Sequence, residues 1–70
     1  MYIIRMTSKE VVRRLRRDGW MLRNVTGSHQ HFVHSAKRGV VTVPHTNRDV
    51  AIGTLRIIFR QAGWDWRTRR

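Results

Sequence analysis

The stretch from Trp20 to Pro44 constrains the fold more than any other part of the chain. Thr26-Gly27-Ser28 and Lys37-Arg38-Gly39 are short turns, and they separate three segments of β character. WMLRNV (20–25) alternates Trp20 and Leu22 with Met21 and Arg23, the pattern of a half-buried strand. HQHFVHS (29–35) is the second segment. VVTV (40–43), β-branched throughout, is the third. Strands joined by turns this short pair antiparallel, because a parallel crossover needs a dozen or more residues. Pro44 closes the third strand, since proline has no N–H to give to a ladder. Gly27 accepts the positive φ that other residues resist.

A meander of this kind needs a cover for its apolar face, and amphipathic segments flank it on both sides. Thr7-Ser8-Lys9-Glu10 fits a capping box, with Thr7 as N-cap and Glu10 reaching back, while Met6 and Val11 stand where a hydrophobic staple places them. Val11, Val12 and Leu15 form an apolar stripe, Arg13, Arg14, Arg16 and Arg17 take the other faces, and Gly19 stops a helix of about 8–18. PHTNRDVA (44–51) is a loop placed to cap the next helix. There Ile52, Leu55, Ile58, Phe59 and Ala62 recur at helical spacing, and Gly63 ends the run. The order α-β-β-β-α predicts a two-layer α+β domain, with both helices on one face of a three-stranded antiparallel sheet. Seventy residues make one domain. Its core is about 7–63, MYIIRM (1–6) is an N-terminal arm, and WDWRTRR (64–70) is a basic tail. Trp64 and Trp66 in that tail either stack on nucleobases or seal the bottom of a small core.

Strand alternation sorts the histidines. Phe32 is the large apolar residue of its strand, so its face meets the helices, together with Trp20 and Leu22. His29 and His31 then point away, onto the open face of the sheet, and Arg23 joins them there. His34 falls on the Phe32 side.

Lys and Arg number 15 against 4 Asp and Glu, a formal charge of +11, and arginine outnumbers lysine 13 to 2. Such a surface attracts polyanions, and arginine's planar fork suits phosphate. The chain has no cysteine, which excludes disulfides and thiolate metal sites and favours a reducing, cytoplasmic compartment. No apolar run approaches the roughly 20 residues a membrane span requires. His29-x-His31, with His45 nearby, is the one arrangement that resembles a metal site. The cationic surroundings and the scarcity of carboxylates (Glu10, Asp18, Asp49, Asp65) argue against it, and no metal or other cofactor is expected. Histidine gives and takes a proton near neutral pH, so His29, straight after the turn, is the candidate general acid or base. Gly27 admits a substrate backbone, Ser28 offers a hydroxyl, and Arg23, Lys37 and Arg38 are candidate phosphate contacts. No buried acid stands ready to complete a serine-hydrolase triad.

GSHQHF (27–32), VVTVPH (40–45) and D-V-A-x-G-T-L-R (49–56) running to QAG (61–63) resemble, in this order, the HicA toxins, also called the YcfA-like family. The front half, a helix followed by DGW (18–20) and a strand into TGSH, agrees. The resemblance covers about residues 7–63. It implies a double-stranded-RNA-binding-like fold and a translation-independent mRNA interferase, the toxin of a type II toxin–antitoxin pair. It also implies that His29 is the catalytic histidine, presented by Gly27 and Ser28, and that an acidic HicB-type antitoxin is the protein partner. The alternative is a module of the same fold that binds RNA by shape and phosphate contacts without cutting it.

Overall fold

The computed structural model of the protein describes residues 5–68. Helix α1 spans Ser8–Arg17. Thr7, in extended conformation, caps it by accepting the Glu10 N–H at 3.2 Å. The return arm of the capping box is made differently from the expected one: the Thr7 hydroxyl donates to Glu10 Oε1 at 3.3 Å, and the Thr7 backbone bridges to Asp49. Met6 and Val11 are both buried, as a staple requires.

Strands β1 (Trp20–Thr26), β2 (His29–His34) and β3 (Val41–Pro44) form an antiparallel sheet in the order β1-β2-β3. Helix α2 (Ile52–Ala62) follows, ended by Gly63 in the left-handed region, and a short 3₁₀ turn at Trp66–Thr68 completes the described chain. Trp20, Phe32, Val41 and Val43 supply the sheet's half of the core. Val11 and Leu15 of α1 and Leu55, Ile58, Phe59 and Ala62 of α2 supply the other half. Each large side chain removed from water this way contributes about 1.5–3 kcal/mol before chain entropy is charged against it. The two-layer α+β arrangement is the one the sequence predicts.

Two apolar residues expected in the core are outside it. Leu22 pairs with Phe32, so it shares the inner face, yet it is 44% exposed; beyond Trp20, strand β1 extends past the part of the sheet the helices cover. Ile52 is 56% exposed, because the inward stripe of α2 starts only at Leu55. The loop does not cap α2 by a side chain either: the N-cap is Ala51, with no side-chain bond. Asp49 is used instead against Thr7 and, at 3.9 Å, Arg5. Strand β3 starts and ends one residue later than expected, taking in Pro44 as its last residue, where the Ser8 hydroxyl donates to the Pro44 carbonyl at 2.6 Å. Residues 1–4 of the expected arm and 69–70 of the tail lie outside the described residues. Trp64 and Trp66 pack edge-on against Phe59, with ring centroids 5.2 and 5.1 Å away, so they close the core.

A single carboxylate ties the ends of these elements together. Asp18, the last residue before the Gly19 turn, accepts at Oδ2 from Trp20 Nε1 (3.0 Å), Trp64 Nε1 (3.0 Å) and Lys37 Nζ (2.7 Å). Lys37 also donates to the Ala62 carbonyl at 3.1 Å. These donors, the Lys37 ammonium first and the two indoles after it, hold the Asp18 carboxyl down at about 2. His34 completes the junction. Its Nδ1 accepts the Ala36 and Lys37 N–H groups at 2.9 and 3.2 Å, which assigns the proton to Nε2, and that nitrogen donates to the Asp18 carbonyl at 2.7 Å.

Gly19 has φ +94°, and a Cβ placed on it would stand 3.0 Å from His34 Nε2. Gly19→Ala therefore carries backbone strain and a displaced His34, a loss of about 2–3 kcal/mol. Gly63→Ala, at φ +74° with nothing within 4 Å of the added Cβ, carries strain alone and should lose about 1–2 kcal/mol. Urea unfolding of the two variants measures the difference.

Candidate functional site

The register of the first hairpin decides what the open face carries. Met21 pairs with Val33 and Leu22 with Phe32, after which Asn24 pairs with His31, Val25 with Gln30 and Thr26 with His29. Arg23 is the extra residue of a bulge. It resets the alternation, so that Asn24 and Thr26 of β1 share a face with His31 and His29 of β2. Pro44 and Thr42 of β3 are the partners of His29 and His31 on the other side. The central strand is thus held from both edges where the histidines stand, and the open face runs from Met21 and Val33 at one end to Thr26 and His29 at the other.

Gly27 turns the hairpin at φ +58°, with nothing within 4 Å of where its Cβ would be. The Ser28 carbonyl accepts the His45 N–H, which fastens the turn to the chain leaving β3. His29, the first residue after the turn, is exposed, and among the described residues its imidazole makes no hydrogen bond. The other ring on this face is engaged: His31 Nδ1 lies 3.0 Å from Thr42 Oγ1. His34, on the helix side, is committed to the Asp18 junction. His45 is exposed and turns away toward α1.

Among the residues singled out from sequence, Gly27, Ser28 and His29 form one unit, and the exposed Arg23 lies at the bulge on the same hairpin. Lys37 and Arg38 are not part of that unit. They follow the far end of β2, whose five steps from His29 to His34 span roughly 17 Å, and the Lys37 ammonium is occupied by Asp18 and Ala62. Asn24, Thr26 and Thr42 were not anticipated on this face. The β1 pair depends on the bulge, which leaves no mark in the hydrophobic pattern. Among the described residues no group of three or more His, Cys, Asp or Glu could hold a metal ion, and no helix is long and apolar enough to cross a membrane.

The arrangement offers an exposed acid–base group without an internal partner among the described residues, on the open face of the sheet of a chain whose formal charge is +11. A family model described as HicA toxin of bacterial toxin–antitoxin matches residues 8–64, which takes in α1, the whole sheet, the turn before His29 and α2. No curated protein matches the chain. The match spans most of the 70 residues, and the chain belongs to the HicA toxin family of bacterial toxin–antitoxin systems.

Proposed function

We propose that this toxin is an endoribonuclease that cleaves messenger RNA with His29 as its proton-transfer group. The observation that carries the reading is the state of the His29 ring: exposed, without an internal partner among the described residues, and positioned by a turn fastened on both sides. In the reaction the RNA's own 2′-oxygen bonds to phosphorus and the P–O5′ bond breaks. One proton leaves the 2′-hydroxyl and one reaches O5′, and His29 serves as base or acid for that exchange. Arg23 supplies positive charge toward the crowded phosphoryl oxygens. Gly27 and Ser28 let the backbone of the RNA approach the turn.

A toxin of this kind has to be held in check by its antitoxin. The charge of +11 favours an acidic partner, of HicB type, because complementary charge speeds encounter and penalises wrong pairings. The open face suits occlusion: Met21, 62% exposed, and Val33 beside it offer apolar contact next to the polar His29 end.

The test compares an RNA with its DNA copy of the same sequence. The RNA is expected to be cut and to leave 2′,3′-cyclic phosphate ends, and the DNA to stay intact. Cleavage of both would rule out attack by the 2′-hydroxyl. Binding of the RNA without any cleavage would make the domain a binding module.

A further inference from the structure

Helix α1 carries four arginines and a lysine, and the structure separates them. Arg14 is built into the fold: it donates to the Thr68 carbonyl and hydroxyl at 2.9 and 2.7 Å and lies 4.4 Å over the Trp64 ring. Lys9, Arg13 and Arg16 are spaced by four and three residues, so they share one helix face. All three are exposed, and among the described residues none has an ion pair or a side-chain hydrogen bond. Like charges at this spacing repel and weaken the isolated helix. A face that costs stability in the free protein and meets no carboxylate among the described residues is suited to an anionic ligand.

The same three cations form one wall of a groove of about 610 Å³, whose opposite side presents Gln30, His45 and Asn47. The groove is preformed. The buried Ser8 hydroxyl donates to the Pro44 carbonyl at 2.6 Å and accepts the Thr46 N–H at 3.2 Å, which locks the chain after β3 onto α1. It also adjoins the His29 turn. Gln30 follows His29 on the other side of the sheet, and the His45 N–H is bonded to the Ser28 carbonyl.

We infer that this groove, between α1 and residues 45–47, binds the RNA strand next to the scissile phosphate, with Lys9, Arg13 and Arg16 on successive phosphates and the amide and imidazole groups opposite on sugar or base edges. The lining favours RNA over a protein segment. Apart from Val12 it offers no aliphatic anchor, and arginine forks with amides opposite suit phosphate and base edges. A strand leaving the groove across the Ser28–His45 link arrives at His29, on the opposite face of the turn. The inference rests on the ribonuclease reading and adds the path by which the substrate is held.

The test measures binding of a labelled single-stranded RNA by fluorescence anisotropy across a salt series, with His29→Ala present throughout to prevent cutting. Adding Lys9→Gln, Arg13→Gln and Arg16→Gln should lower the log–log salt slope by about 2, at about 0.7 for each phosphate no longer neutralised, and weaken binding more than tenfold at moderate salt. A control with Arg56→Gln, Arg60→Gln and Arg67→Gln removes equal charge away from α1 and should change affinity less than threefold. With His29 intact, the groove variant should raise KM while kcat stays within about twofold. Equal losses in the two triple variants would reduce the effect to net charge and overturn the groove. So would an unchanged slope, or loss of acidic-antitoxin binding with RNA binding intact. If the parent chain neither binds nor cuts RNA, the ribonuclease reading itself fails, an outcome separate from all of these.

Discussion

His29→Ala should lower RNA cleavage by at least about 10²-fold, the smallest contribution typical of a well-placed proton-transfer group, and remove growth arrest on expression. The variant should fold normally. The ring is exposed and makes no hydrogen bond within the described residues, so its removal leaves no cavity and no orphaned donor. RNA affinity should change less than threefold, since phosphate contacts dominate binding. His31→Ala is the informative neighbour. It gives up only its approach to Thr42 Oγ1 and should retain cleavage within about tenfold. Near-parent cleavage by the His29 variant, with circular dichroism unchanged, would remove His29 from the chemistry. Equal collapse of both variants would point to a shared structural role.

Asp18→Ala should be strongly destabilising. It leaves two indole N–H groups and the Lys37 ammonium without their common acceptor. The loss should be about 2–4 kcal/mol, softened because Lys37 can turn to water. A domain of this size has about 4–10 kcal/mol in total, so a fall in Tm on the order of 10–25 °C is expected. The parent protein should show the same junction in its pH dependence. The carboxyl is lowered in the folded state from 3.8 to about 2. Its contribution is therefore fully present above about pH 4 and is lost as the pH falls through 2. The side chain is about one-third exposed (34%), so solvent screening reduces the expected loss to about 1–2 kcal/mol. Asp18→Asn keeps an acceptor oxygen without the charge and should flatten this part of the acid limb in urea titrations at pH 2 to 4. An acid limb as steep as the parent's would mean that other carboxylates set it.

Much of this architecture was legible because local signals agreed with one another. The Thr7 cap, the glycine-bearing turns and the β-branched run before Pro44 each have a short-range physical cause, and together they define the element order. The face of His29 was legible as well, since Phe32 fixes the alternation of the central strand. What escaped the sequence depended on contacts between distant segments. The bulge at Arg23 is set by how β1 docks on β2. Leu22 and Ile52 are apolar at the right period but lie where the opposite layer does not reach. The role of Lys37 could not be separated from that of any other surface cation, because its partners, Asp18 and the Ala62 carbonyl, lie 19 and 25 residues away. In the sequence the four arginines of α1 differ in nothing but their place off the apolar stripe, and the packing of Arg14 against Trp64 and Thr68 sets that one apart.

The Asp18 junction and the His29 turn stand at opposite ends of the same hairpin, and this separation bears on how such a toxin diversifies. Anchorage is concentrated where Trp20 pairs with His34. At the other end, Asn24, Thr26, Ser28 and His29 are all exposed and contribute little to the core. Substitutions of these exposed side chains should carry little folding penalty, so on the proposed reading a lineage could retune which RNA is cut, or which antitoxin fits, by changing a few side chains at the tip. Mutational tolerance should accordingly form a gradient along β1 and β2, low at the DGW end and high toward the turn, with two exceptions: Gly27, whose φ of +58° strains any other residue, and His29, if the proposed proton transfer rests on it.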